Sequence, residues 1–87
     1  RAIDDIKEAG LWVVGADMDG EKVHFEADLT GPLALVIGGE GKGLARLTKE
    51  KCDLMVRLPM YGRINSLNAA VAAAVMMYEV VRQRAQA

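Results

Sequence analysis

LVIGGEGKGL, residues 35–44, and LPMYGRINSLN, residues 58–68, decide how this chain is read. Each begins as an apolar run of strand type and breaks into a loop containing glycine. The second loop leads directly into NAAVAAAVMMYEVV, an alanine-rich helical stretch. Open α/β sheets place their ligand sites outside the carboxyl ends of their strands. Both loops stand at such ends. Glu40, Ser66 and Asn68 lie in them, beside glycines that let a ligand approach the main chain.

Working outward, the rhythm is helix, strand, irregular segment, strand, helix, strand, loop, helix. Ile3, Ile6 and Ala9 have helical spacing, and Gly10 stops that helix. LWVVGA, residues 11–16, is a continuous apolar run, as a strand buried on both faces requires, and Trp12 is expected in the core. Residues 18–28 are polar and turn around Asp19-Gly20, with Val23 and Phe25 alternating as an edge strand. Gly31-Pro32 marks a turn before a second buried strand, Leu33 to Ile37. Gly43 to Lys51 reads as a short helix with Leu44 and Leu47 on one face. Leu54 to Leu58 reads as a third strand, ended by Pro59. The last helix runs from a Ser66 cap to about Gln83 and is apolar nearly all round, so burial on more than one side is expected. Buried strands alternating with helices give a parallel α/β sheet.

The bulk numbers narrow the class. Eighty-seven residues, 52% hydrophobic and 26% charged, make one small globular domain or a piece of one. So short a chain buries a limited share of its surface and is expected to use a partner surface. Arg1 opens directly into RAIDDIKEAG with no Met, cap or turn before it, so the chain reads as a fragment whose N-terminal portion is missing. A net charge of −1 neither requires nor excludes a nucleic-acid partner. One cysteine and one histidine make neither an internal disulfide nor a metal cluster, so no metal is expected, and a reducing, cytoplasmic compartment fits. The longest apolar run, residues 69–78, is too short to span a bilayer.

The glycines at 38, 39, 41 and 43 suggest a phosphate loop. The Walker pattern fails because Gly43, not Ser or Thr, follows Lys42. The dinucleotide fingerprint fails on glycine spacing. A simple glycine-rich strand-to-helix turn stays open. Glu40 alone reads as a complement to a helix N-terminus before it reads as catalytic, and Ser66 likewise as a helix cap. Asn68 is harder to explain structurally, because Asn is a poor helix former at that position. His24 reads as a surface residue and Cys52 as a small apolar one. Met55, Met60, Met76 and Met77 read as core filling. Arg82 and Arg84 suit the last turn of a helix.

Together, LVIGGEGKGL and LPMYGRINSLNAAVAAAVMMYE, at this spacing, resemble the SpoU family of RNA ribose methyltransferases, within the SPOUT superfamily. The resemblance covers about Gly10 to Arg84. It is nearest to the branch that methylates a guanosine ribose in large-subunit ribosomal RNA. It implies that residues 1–87 are the C-terminal portion of the catalytic domain, an α/β domain with a parallel sheet flanked by helices. It also implies a deep trefoil knot, with the chain after Pro59 threaded through the preceding loop. S-adenosylmethionine would lie bent between the two loops. Main chain at Gly38, Leu58 and Leu67 would hold its adenosine portion, with Ile37, Gly39, Pro59 and Met60 adjoining. Glu40, Ser66 and Asn68 match the polar residues around the reacting centre. RNA is the implied substrate and a homodimer the implied assembly, with the final helix at or near the interface. The family's first motif, with its Asn and essential Arg, and its RNA-binding extension would both precede Arg1. A transfer-RNA substrate and an inactive cofactor-binding and dimerisation fragment are the alternatives.

Overall fold

Four runs form strands: β1 (Trp12–Ala16), β2 (Lys22–Val23), β3 (Leu33–Ile37) and β4 (Leu54–Arg57). Three helices accompany them: α1 (Ala2–Glu8), α2 (Arg46–Lys51) and α3 (Ala69–Gln86). The structure, a computed structural model, describes residues 2–17, 20–38, 45–58 and 69–86. The strands make one parallel sheet in the order β2-β4-β1-β3. Val13, Val14, Gly15 and Ala16 are all buried, so β1 is covered on both faces, as its unbroken apolar run predicts. The α/β class and the parallel sheet agree with the reading of the sequence.

Side chains of a strand alternate between its faces. Val14, Ala16, Leu54 and Val56 share one face and close a core with Ala27, Leu29 and Met76. Met76 comes from α3 and, like Leu29, Val14 and Val56, is fully buried. Each such side chain contributes about 1.5–3 kcal/mol through burial. On the other face α1 packs on β1 and touches α2, above the fully buried Val13. Lys51 Nζ reaches Asp4 at 2.8 Å and Lys7 Nζ donates to the Lys51 carbonyl at 3.1 Å. Solvent-exposed pairs of this kind contribute little to stability, so they orient α1 on α2 more than they hold it there.

Several expectations need correction. Trp12 is 46% exposed, because it opens β1 at the amino edge of the sheet. The β2 strand stops at Val23. His24–Glu26 form a 3-10 turn that leaves Phe25 exposed, so the alternation does not continue. Every residue of β3 is half-buried, because β3 is the outer strand of the described sheet. Leu47 lies on the exposed side of α2; Gly43 and Leu44 are outside the described residues.

Within one chain, α3 buries one stripe, Ala72, Met76 and Glu79, and leaves Val71, Met77, Tyr78 and Val81 exposed. Glu79, in the buried stripe, accepts hydrogen bonds from Arg82 and Gln83. Gln83 in turn donates to the Ala27 carbonyl at 2.8 Å and accepts from the Leu29 amide at 2.7 Å. Arg84 donates to the Gly31 carbonyl at 2.7 Å. The polar end of α3 therefore anchors the helix to residues 27–31. His24 is half-buried, and its Nδ1 is buried with no hydrogen-bond partner, so it is not a plain surface residue.

Candidate functional site

Parallel pairing brings the carboxyl ends of β1, β3 and β4 to one edge. Ala16 is level with Ile37 of β3 on one side and with Val56 of β4 on the other. Gly38 and Leu58 therefore follow at the same edge, flanking the end of β1. Two strand spacings separate β3 from β4, about 10 Å. The chain turns in opposite directions around β1 to make β3 and β4, which is the topological switch point where open α/β sheets bind ligands.

The side chains of Ile37 and Leu58 pack against the core. What these positions present at the edge is main chain, and Gly38 adds no side chain to obstruct it. Ile37, Gly38 and Leu58 are thus placed at one edge, on either side of the end of β1. Gly39, Glu40, Pro59, Met60, Ser66, Leu67 and Asn68 lie outside the described residues, as do the Ser66 cap and the threading of the chain after Pro59.

Sequence reasoning passed over Asp17, which sits at the centre of this edge. Its amide donates to the Val56 carbonyl at 2.9 Å. Its carboxylate, 9% exposed, meets Lys49 Nζ of α2 at 2.8 Å. The available signal was an acidic residue directly after a buried strand. Gly20 then returns the chain onto β4. A Cβ there would overlap the Val56 carbonyl and the Arg57 amide. Arg57 Nη1 donates back to the Gly20 carbonyl at 3.0 Å.

Elsewhere the chemistry is quieter. Burial, and then the charge of Asp53, push the Cys52 thiol above its ordinary pKa, and its Sγ donates to the Thr48 carbonyl at 3.3 Å. That favours the inert thiol over the reactive thiolate. Among the described residues, no group of three or more His, Cys, Asp or Glu side chains is placed to hold a metal ion. No described helix is long and apolar enough to cross a membrane. A groove of about 520 Å³, lined by Trp12, Leu33 and Lys7 among others, lies at the amino ends of the strands, the opposite edge.

The profile of the SpoU rRNA Methylase family matches residues 1–78. A putative TrmH family tRNA/rRNA methyltransferase of Bacillus subtilis is 54% identical over 97% of this chain. A 23S rRNA (guanosine-2'-O-)-methyltransferase of Pseudomonas putida is 49% identical over the same share. The chain spans about a third (34%) of the length of each of these relatives. Among solved structures, an RNA 2'-O ribose methyltransferase superposes with a TM-score of 0.89 at 38% identity, over 95% of this chain and 32% of the other. The SpoU methyltransferase AviRb of Streptomyces viridochromogenes, in complex with AdoMet, superposes at 0.81 with 41% identity, over 95% and 32%.

Proposed function

Because this chain belongs to the SpoU rRNA Methylase family, we propose that it is the cofactor-binding part of an S-adenosylmethionine-dependent enzyme that methylates a ribose 2'-oxygen in RNA. A guanosine of large-subunit ribosomal RNA is the favoured target, since the Pseudomonas putida relative bears that activity in its name. The observation that carries the proposal is that Gly38 and Leu58 stand at one carboxyl edge, on either side of the end of β1. These are the residues at which β3 and β4 end, at the switch point of the sheet.

The carboxyl edge suits the cofactor's chemistry. An adenosine offers a hydrogen-bonding edge and an apolar face. Main chain at Gly38 and Leu58, above an apolar floor, complements both. Leu67 would add its main chain, with Ile37, Gly39, Pro59 and Met60 around it. S-adenosylmethionine, when bound, supplies a methyl group activated by its sulfonium. The chain's task is then to position the ribose hydroxyl and to assist loss of its proton. A free Glu, with a pKa of about 4.3, is a weak base for an alcohol. Glu40 is therefore assigned to electrostatic organisation, with Ser66 and Asn68 orienting substrate or Glu40 by hydrogen bonds. The essential Arg of the family's first motif would act on the hydroxyl from outside this chain.

The proposal includes a trefoil knot that presses the two loops together, a cytoplasmic setting and a homodimer. Support for the dimer comes from α3. Val71, Ala74, Tyr78, Val81 and Ala85 recur at spacings of three and four and are all exposed. This is the seam that a second helix packs into.

Calorimetric titration of the full-length protein with S-adenosylmethionine tests the binding half. Single-turnover methylation by Glu40→Ala and Asn68→Ala tests the roles, with rates expected to fall at least about a hundredfold. Rates near wild type would remove these residues from the chemistry. The tRNA/rRNA wording of the Bacillus subtilis relative's name favours transfer RNA as the second substrate class to assay.

A further inference from the structure

We infer that the Asp17–Lys49 ion pair is a positioning element for the first cofactor loop. This rests on the proposed function and adds a residue pair outside both motifs. The six residues 39–44 connect Gly38 to Ala45, the residue before α2. The position of α2 therefore sets where that connection ends. Lys49 lies on α2, and its Nζ stands 2.8 Å from Asp17 Oδ2, across the carboxyl edge. Asp17 is itself fixed from the other side. Its amide is bonded to the Val56 carbonyl, and the Gly20 amide donates to the Asp17 carbonyl at 3.3 Å. Gly20 is pressed onto β4, where only a residue without a Cβ fits, and Arg57 closes that turn.

The contacts form one chain from α2 through Asp17 to the end of β4, whose next residue is Leu58. The pair thus couples the end of the first loop to the start of the second. With its carboxylate 9% exposed, Asp17 is little screened by water, so this attraction is stronger than that of a surface pair. Fixing an end of each loop in advance lowers the entropy lost on binding. Asp17 and Lys49 are positioning residues and touch no reacting atom in this account.

The test uses the full-length protein and four variants: Asp17→Asn, Lys49→Met, the double variant and Lys49→Arg. S-adenosylmethionine affinity is read by calorimetry, kcat and KM by methylation of an RNA transcript, and folding by thermal melting. Either single change should raise the cofactor Kd about tenfold. KM for the cofactor should rise more than kcat falls. The double variant should cost less than the sum of the two single ones, because both remove the Asp17–Lys49 contact. Lys49→Arg, which keeps the charge, should restore most of the affinity. Unchanged affinity in both single variants, beside a wild type that binds, would overturn the positioning role and leave the cofactor reading intact. A wild type that fails to bind would overturn both. A variant with a lowered melting temperature but unchanged Kd assigns the pair to stability alone and also counts against the inference. Should Asp17→Asn not fold, Lys49→Met and Lys49→Arg carry the same comparison from the partly exposed end.

Discussion

Arg82 grips Glu79 from one helical turn away. Its Nε donates to Oε1 at 2.9 Å and its Nη2 to Oε2 at 2.7 Å. Burial alone would raise the Glu79 pKa. The hydrogen bonds from Arg82 foremost, with that of Gln83, instead hold it down to about 2 from an ordinary 4.5. A carboxylate with a folded-state pKa below its unfolded one adds stability that is complete above about pH 4.5 and is lost as pH falls toward 2. Thermal melting followed by circular dichroism should show this acid limb. Glu79→Gln should flatten it and cost about 1–3 kcal/mol at neutral pH. An unchanged limb would mean that other carboxylates govern acid unfolding.

Gly20 lies close against the main chain of β4 at the carboxyl edge. Gly20→Ala forces a methyl into the Val56 carbonyl and the Arg57 amide, main-chain groups that a side-chain rotation cannot move aside. A loss of about 1–3 kcal/mol is expected from urea denaturation. Wild-type stability would mean that Gly20 relaxes away from β4.

Met76 is fully buried between α3 and the sheet. Met76→Ala should cost about 2–5 kcal/mol in the same assay. Met77, its neighbour, is 55% exposed, and Met77→Ala should change stability by less than about 0.5 kcal/mol in the monomeric state. The pair of substitutions distinguishes the packed stripe of α3 from its open one.

Much of the architecture is legible in the sequence. β3 was placed to the residue, because a five-residue apolar run between a Gly-Pro turn and a glycine loop leaves little freedom. The Leu58 boundary followed from Pro59. What stayed hidden depends on which strands are neighbours. The runs of β1 and β3 look alike, yet β1 is buried on both faces and β3 is an outer strand. Trp12 misled for the same reason: hydrophobicity does not say which end of a strand faces water. In α3, alanine and valine on all sides masked the single buried stripe, and the buried Glu79 went unmarked because its partners, Arg82 and Gln83, lie on the same helix. Of the site, Ile37, Gly38 and Leu58 were readable as strand ends. Asp17 was not, because its importance comes from the register of β1 with β4.

The open stripe of α3 makes its own prediction. Tyr78 is 72% exposed and Val81 60% exposed, one turn apart. Light scattering of the full-length protein should give a dimer mass, and Tyr78→Glu with Val81→Glu should give a monomer by placing charges in an apolar seam. A dimer that survives both changes would place the interface elsewhere.

The central claim is methyl transfer to a ribose oxygen, and it has a direct readout. Full-length protein is incubated with S-adenosylmethionine carrying a labelled methyl group and a large-subunit ribosomal RNA transcript, and the RNA is then digested to nucleosides. The account predicts label in 2'-O-methylguanosine, with alkali-resistant linkage at that one position. Label on a base, or RNA that stays unlabelled while the protein binds the cofactor, would contradict it.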